Sequence, residues 1–247
     1  ITIHDLLTHT SGVVGPPKLP TAATATLATY LPQFAKEPLE FQPGTRWNYS
    51  NTVAFDTLAR IVEVVTGKVY EDVLKERIFT PLGMKDTGHV VDASRKNRVA
   101  QRYDLTPAGV KPNNPANTPQ YYGGGWGLYS TAQDYFRFAQ MLANNGEFNG
   151  TRILSPRSVE LMRAVHVPDT LPGRTPGEGW GLAVRVVTDN ALRDTYLSKG
   201  SFGWSGASGT HFWVDPDAHI VAVLMAQVPA TSLRPDFETA VMQAFVK

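Results

Sequence analysis

Pro43-Gly44-Thr45-Arg46-Trp47-Asn48-Tyr49-Ser50-Asn51 is a turn that delivers a tyrosine and an asparagine to the mouth of a strongly apolar helix. Pro43-Gly44 is turn chemistry. Asn51-Thr52 supplies cap-type side chains just before the apolar series Phe55, Leu58, Ile61, Val62 and Val65. Gly67 is placed to stop that helix, which gives an expected span of 51–66. A tyrosine braced in this way can exchange protons, although a free phenol titrates near pH ~10 in water. Taken alone, the stretch reads better as a surface turn whose tyrosine packs against the domain, because most tyrosines are structural.

Working outward, Thr2 is a candidate cap before His4-Asp5-Leu6-Leu7, and Thr8-His9-Thr10-Ser11-Gly12 is a polar turn, so a short helix ending at Gly12 is expected. His9, inside that turn, reads as a structural histidine. Pro16-Pro17 and Pro20 then interrupt the chain, and residues 26–34 form a modest helix candidate. Residues 70–78 read as a further helix closed by Pro81-Leu82-Gly83. From 88 to 125 periodicity is lost among Pro107, Pro112, Pro115 and Pro119, as expected of a long surface excursion. It ends in Gly123-Gly124-Gly125-Trp126-Gly127. Ser130-Thr131 and Asp134 then open an amphipathic helix carrying Tyr135, Phe138, Ala139 and Leu142, stopped by Gly146; Ser155-Pro156 opens another with Val159 and Met162.

After about residue 165 the pattern changes. Residues 180–187, 202–204, 209–214 and 220–228 are short β-branched or aromatic runs, read as four antiparallel strands, with 215–219 as a hairpin connection. A last helix over 236–245 presents Phe237, Ala240, Val241 and Ala244 to one sheet face. The expected class is α+β: residues 1–170 a mostly helical domain with long loops, and 171–247 an antiparallel sheet with a C-terminal helix. Four strands make a thin sheet, and Ile1-Thr2-Ile3-His4-Asp5-Leu6-Leu7 already reads as the middle of a fold, so sequence upstream of Ile1 is expected.

Composition narrows the chemistry. The 247 residues, 42% hydrophobic and 18% charged, suffice for one large domain or two small ones. Lys plus Arg is 23 against 22 for Asp plus Glu, and with no basic run no nucleic-acid partner is expected. The absence of cysteine removes disulfides, zinc-thiolate sites and a cysteine nucleophile. The longest apolar run, 220–226, is far short of the ~20 residues of a membrane span. The six histidines show no HExxH-type spacing, so neither a metal site nor a cofactor is expected. The Gly123 to Gly127 cluster lacks GxGxxG and P-loop spacing, which leaves close backbone approach as its reading. No serine fits GxSxG, and no SxxK is present.

Together these stretches resemble one family over nearly all of the chain: the serine β-lactamase-like hydrolases related to class C β-lactamases, penicillin-binding DD-peptidases and their esterase relatives. Residues 1–12 look like the segment downstream of that family's nucleophile helix. Tyr49-Ser50-Asn51 is similar to its Tyr-x-Asn motif, Pro81-Leu82-Gly83-Met84 to its helix-ending turn, and Gly123-Gly124-Gly125 with Ser130-Thr131 and Asp134 to its glycine-rich loop and following helix. Residues 202–210 fall where the family keeps Lys-Thr-Gly. The resemblance implies a β-lactamase/transpeptidase-like fold, incomplete at its N-terminus, and an acyl-enzyme mechanism on a small-molecule ester or β-lactam. It implies Tyr49 as a proton-transfer group, the Ala207 N–H as an oxyanion donor, and Asn51, Trp204, Ser205 and Gly206 as substrate contacts. Trp126 is placed by its loop either in an acyl pocket or in the core. A periplasmic or secreted setting is suggested, and a cytoplasmic one stays open; oligomeric state is not addressed. The sequence departs from the family pattern twice. Its Ser-x-x-Lys would have to lie upstream of Ile1, and Trp204-Ser205-Gly206 puts an indole where the β-lactamases place a cation, which favours esters over carboxylated β-lactams or D-Ala peptides. Arg174 or Arg185, if either reached the site, would restore carboxylate binding.

Overall fold

The computed structural model describes residues 1–13, 15, 25–113 and 121–245, leaving out the Asn51 side chain. The prolines at 16, 17, 20, 115 and 119 lie outside the described residues.

Helix α1 (Ile3–Leu7) starts at a capping box between Thr2 and Asp5 and gives way at Thr8, before the expected stop at Gly12. Helix α2 (Leu27–Tyr30) is boxed by Thr26 and Thr29 and continues as a 3₁₀ stretch through Lys36, where Pro32 removes a donor. Helix α3 spans Asn51–Thr66 and ends at Gly67 in the left-handed conformation. Its start corrects the sequence reading: the cap position is Ser50, and it makes no side-chain capping bond because its hydroxyl is engaged with His9. The buried face also differs, since Val53, Ala54, Asp56 and Ala59 are inside while Val65 is exposed. Helix α4 (Tyr70–Leu74) runs through one π-type turn, Lys75–Phe79, into α5 (Thr80–Leu82), and Gly83 terminates the run in the left-handed region.

The expected structureless excursion contains a hairpin, β1 (Tyr103–Thr106) with β2 (Gly109–Pro112). Both strands are largely exposed and only four residues long, and β2 carries a glycine and a proline, so the brief Tyr103–Leu105 alternation does not stand out from the loop around it. Helix α6 (Ala132–Ala143) is capped by the Thr131 side chain, and β3 (Glu147–Phe148) and β4 (Thr151–Arg152) form a small hairpin before α7 (Pro156–Arg163), which Ser155 caps with proline at its first position. The run read as one strand over 180–187 is two, β5 (Glu178–Trp180) and β6 (Arg185–Val187), folded at Ala183 in a left-handed conformation. After α8 (Asn190–Arg193) come β7 (Phe202–Ser205), β8 (Thr210–Asp215) and β9 (Ile220–Met225), then α9 (Leu233–Ala244).

The main sheet is antiparallel and five-stranded, in the order β5-β6-β7-β8-β9. The largest core cluster draws Phe79, Met141 and Val159 from the helices and Val186, Phe212 and Val214 from the sheet, so packing crosses residue 170. On the other sheet face, Phe237 and Val241 of α9 pack against Trp213 and Ala222. A separate cluster of Leu27, Tyr30, Ala59 and Tyr121 forms the helical lobe. Among the described residues no helix is long and apolar enough to cross a membrane.

Candidate active site

The segment after α1 is the hub on which the site is hung. Thr8, His9, Thr10 and Ser11 are all buried, and His9 adopts φ of 57°. The His9 carbonyl accepts from Asn48 N–H at 3.1 Å, and the Thr10 carbonyl accepts from Gly44 N–H at 2.9 Å. On its other side, the Leu7 carbonyl accepts from Trp180 Nε1 and from Ala183 N–H, each at 3.1 Å. The Pro43–Asn51 turn is thereby bonded to a segment that is itself bonded to the sheet.

The His9 ring completes the link. Ser50 N–H donates to Nδ1 at 3.2 Å, so that nitrogen carries the lone pair, and the Ser50 hydroxyl donates to it at 2.8 Å. Burial, reinforced by the charge of Arg174, holds the imidazole neutral with a pKa of about 3. Trp47, Tyr49 and Trp180 surround the ring, the Tyr49 centroid at 4.5 Å. The structural reading of His9 agrees with this geometry, but the histidine organises the wall rather than merely filling it.

Tyr49 stands at the surface, 38% exposed, and its hydroxyl oxygen accepts from Trp204 Nε1 at 3.2 Å. This contact brings together residues 155 positions apart. It is possible because the pairing of β6 with β7 stops at Gly203, which leaves Trp204 and Ser205 on a strand end open on that side. Trp204 meets Trp180 edge-on at 4.5 Å, which continues the aromatic wall.

Beyond β7 the chain turns through Gly206 to Gly209, with Gly209 N–H donating to the Gly206 carbonyl at 3.0 Å. Gly209 has φ of 100°, and a Cβ there would lie 2.2 Å from the Val228 carbonyl oxygen, so only glycine closes this turn. Ala207 is exposed in the turn, and among the described residues nothing accepts its N–H. Gly206 is exposed and Ser205 half-buried beside it. The Asn51 side chain lies outside what is described.

The structure does not bring Trp126 to this group. It packs against the Leu27, Tyr30, Ala59 and Tyr121 cluster. Its loop approaches α3 so closely that a Cβ on Gly124 would lie 2.1 Å from the Phe55 carbonyl oxygen. Buried Asp56 holds that loop, accepting from Gly124 N–H at 2.8 Å, Gly125 N–H at 3.2 Å, Tyr121 Oη at 2.8 Å and Tyr30 Oη at 3.0 Å. Asp56 escaped the sequence reading. An acidic residue beside Phe55 in an amphipathic helix reads as part of the solvated face, and its partners come from segments far along the chain.

Neither candidate arginine is free. Arg174 lies buried over the Trp47 ring at 4.3 Å and donates to the Glu178 and Gly179 carbonyls at 3.0 and 3.1 Å. Arg185 donates to Glu238 at 2.8 Å. The walls therefore offer an aromatic surface, a phenol and the Ala207 N–H, with both of these cations committed inside the fold. Among the described residues no group of three or more His, Asp or Glu side chains is placed to hold a metal.

The fold and the ordered motifs define a serine β-lactamase-like hydrolase architecture. The Beta-lactamase family model matches residues 1–244, and the chain belongs to that family. It is 36% identical to Protein Rv1367c of Mycobacterium tuberculosis over 92% of this chain and 62% of that protein. It is 33% identical to penicillin-binding protein 4 of Amycolatopsis lactamdurans over 91% of this chain and 59% of that protein. The chain thus spans about three-fifths of these relatives' length. Among solved structures it resembles EstCE1, a hydrolase with promiscuous acyltransferase activity, with a TM-score of 0.85 and 25% identity over 98% of this chain and 72% of that one. Family members include proteins named as esterase and as D-alanyl-D-alanine carboxypeptidase.

Proposed function

We propose that this chain is the greater part of a serine hydrolase that works through an acyl-enzyme and acts on neutral carboxylic esters, with its Ser-x-x-Lys nucleophile segment encoded upstream of Ile1. In acylation Tyr49, relieved of its own proton beside the lysine of Ser-x-x-Lys, takes the serine proton as the serine oxygen bonds to the acyl carbon and passes it to the departing alkoxide as the ester C–O bond breaks. In deacylation water attacks the acyl carbon, its proton passes through Tyr49 to the serine oxygen, and the acid leaves. The Ala207 N–H supplies one oxyanion donor and the nucleophile's own N–H the other. Asn51, Ser205 and Gly206 contact substrate. The packing of Trp126 against the Leu27, Tyr30, Ala59 and Tyr121 cluster supports a core role for it.

The observation that carries the ester preference is the Trp204 indole bonded to Tyr49, an apolar group with a single N–H donor, while Arg174 and Arg185 are engaged by internal partners. A second reading, β-lactamase or DD-peptidase, is supported by relatives named for penicillin binding and D-alanyl-D-alanine carboxypeptidase activity. Kinetics on the protein expressed with its upstream coding sequence separate the two. Short-chain aryl esters turning over much faster than nitrocefin is the expected ranking, and the reverse would reject the esterase reading. An active-site phosphonate should label the extended protein on the upstream serine and leave the 247-residue chain unlabelled. Upstream sequence without Ser-x-x-Lys would instead mark a silent binding protein of the same fold.

A further inference from the structure

Behind the site runs a chain of hydrogen bonds that the acyl transfer above does not use. Ser205 faces His211 directly across the β7–β8 pair, with Oγ 2.9 Å from Nδ1. His211 Nε2 lies 3.0 Å from Glu238 Oε1 on α9, and Arg185 NH2 reaches the same oxygen at 2.8 Å. His211 and Glu238 are each 3% exposed, whereas Ser205 is half-buried next to Trp204, the residue that holds Tyr49.

Proton accounting fixes the direction of these bonds. Burial opposes the charge on Glu238, but the His211 hydrogen bond and the Arg185 charge outweigh it and hold the carboxyl at about 2. The carboxylate can only accept, so His211 Nε2 carries a hydrogen. Burial lowers the His211 pKa against the pull of Glu238, which leaves the ring neutral and Nδ1 as a lone pair. The opposite tautomer would let Nδ1 donate to the Trp204 carbonyl, 3.2 Å away, but would set a lone pair against the carboxylate. The Ser205 hydroxyl hydrogen is therefore drawn inward to Nδ1, and only oxygen lone pairs remain to face the site.

We propose that the Ser205–His211–Glu238 chain makes Ser205 a hydrogen-bond acceptor toward substrate, so that the site selects neutral esters bearing an N–H or O–H donor over β7 and rejects a carboxylate there. The proposal deepens the esterase reading and rests on it for the substrate class. The charged groups facing His211 are Glu238 and Arg234 from α9 and Arg185 from β6; Ser205 and the Trp204 carbonyl face it from β7. A proton added at Nδ1 would release the serine hydrogen and turn Ser205 into a donor, so the preference reverses in acid.

Two measurements test this. On the 247-residue chain, long-range proton–nitrogen spectra of ¹⁵N-labelled histidine should show His211 protonated on Nε2 with Nδ1 bare, and a proton on Nδ1 at neutral pH would overturn the proposal. On the extended protein, kcat/KM is compared for 4-acetoxybenzamide and 4-acetoxybenzoate. The wild type should favour the amide. Ser205→Ala should lower the amide-to-carboxylate ratio about tenfold, the loss of one hydrogen bond, while Ser205→Thr keeps the ratio because it keeps the hydroxyl. An unchanged ratio in Ser205→Ala, or phosphonate labelling of Ser205 itself, would overturn the proposal. If the extended protein cleaves neither ester, the hydrolase reading fails, and benzamide against benzoate binding, followed by the Ser205 and His211 resonances, decides the polarity by the same ratio.

Discussion

Lowering the pH should unfasten the wall at His9 before it disturbs most of the fold. His9 is 1% exposed and titrates at about 3 in the folded protein, against ~6.5 in an unfolded chain. The folded pKa is depressed, so its contribution is complete above pH ~6.5 and is lost as pH falls toward 3, where the unfolded chain takes the proton first. Linkage over that interval gives a loss of about 2 kcal/mol between pH ~7 and pH ~5, a span in which most carboxylates are silent. His9→Asn is the matched control. Asparagine tolerates the left-handed φ of 57° and can offer an oxygen to Ser50, but it does not titrate. Urea unfolding of both proteins at pH ~7, ~6 and ~5 measures the difference. The variant should be less stable at pH ~7, having lost ring packing, and its stability should fall less by about 2 kcal/mol on going to pH ~5. Other histidines are present in both proteins and cancel. Parallel pH profiles, agreeing within about 0.5 kcal/mol, would show that His9 keeps access to a proton in the folded state and would refute the argument.

In the extended protein, Tyr49→Phe should lower ester kcat/KM by about 10² or more with little change in melting temperature, since Tyr49 is partly exposed; activity near wild type would remove it from proton transfer. Trp204→Lys replaces the indole donor with an ammonium and should raise the nitrocefin-to-ester ratio about tenfold, read from initial rates. Asp56→Ala strands four donors that now converge on one carboxylate and should cost about 3 kcal/mol or more, measured by denaturant unfolding. Trp126→Ala should cost about 3 kcal/mol and leave acyl-chain preference unchanged, and a shifted preference would return Trp126 to the acyl pocket.

The elements that local chemistry specifies were legible. Gly67 and the Ser155-Pro156 pair mark α3 and α7 because a left-handed stop and a capped proline start need only neighbouring residues. The 178–187 hairpin was not, because its turn places Ala183, not glycine, at φ of 63°, and the close fit of the turn against Leu7 is invisible in sequence. The exposed β1–β2 hairpin carries an alternation in Tyr103 and Leu105 too short to mark a strand, and its second arm holds Gly109 and Pro112. At the site, Tyr49 and Trp204 were named from motif order, yet no spacing rule could announce their contact. The partners of Asp56 and Glu238 come from separate loops and strands, so tertiary structure alone assembles them.

The two buried histidines have a common logic that bears on substrate charge. Each presents Nδ1 as a lone pair to a serine, His9 to Ser50 and His211 to Ser205, and each is kept neutral by burial. They differ on the far nitrogen: His211 is tied to Glu238, whereas His9 Nε2 meets no hydrogen-bond partner among the described residues and faces aromatic rings. Around the Tyr49–Trp204 contact the imidazoles therefore add no positive charge at neutral pH, and Arg174 and Arg185 are already held by internal acceptors. A carboxylate entering here would lose its water without gaining a cation from these four side chains, a desolvation cost that a neutral ester does not meet. The proposed ester preference thus rests on the protonation states of the walls as much as on the one indole that stands where the family keeps a lysine.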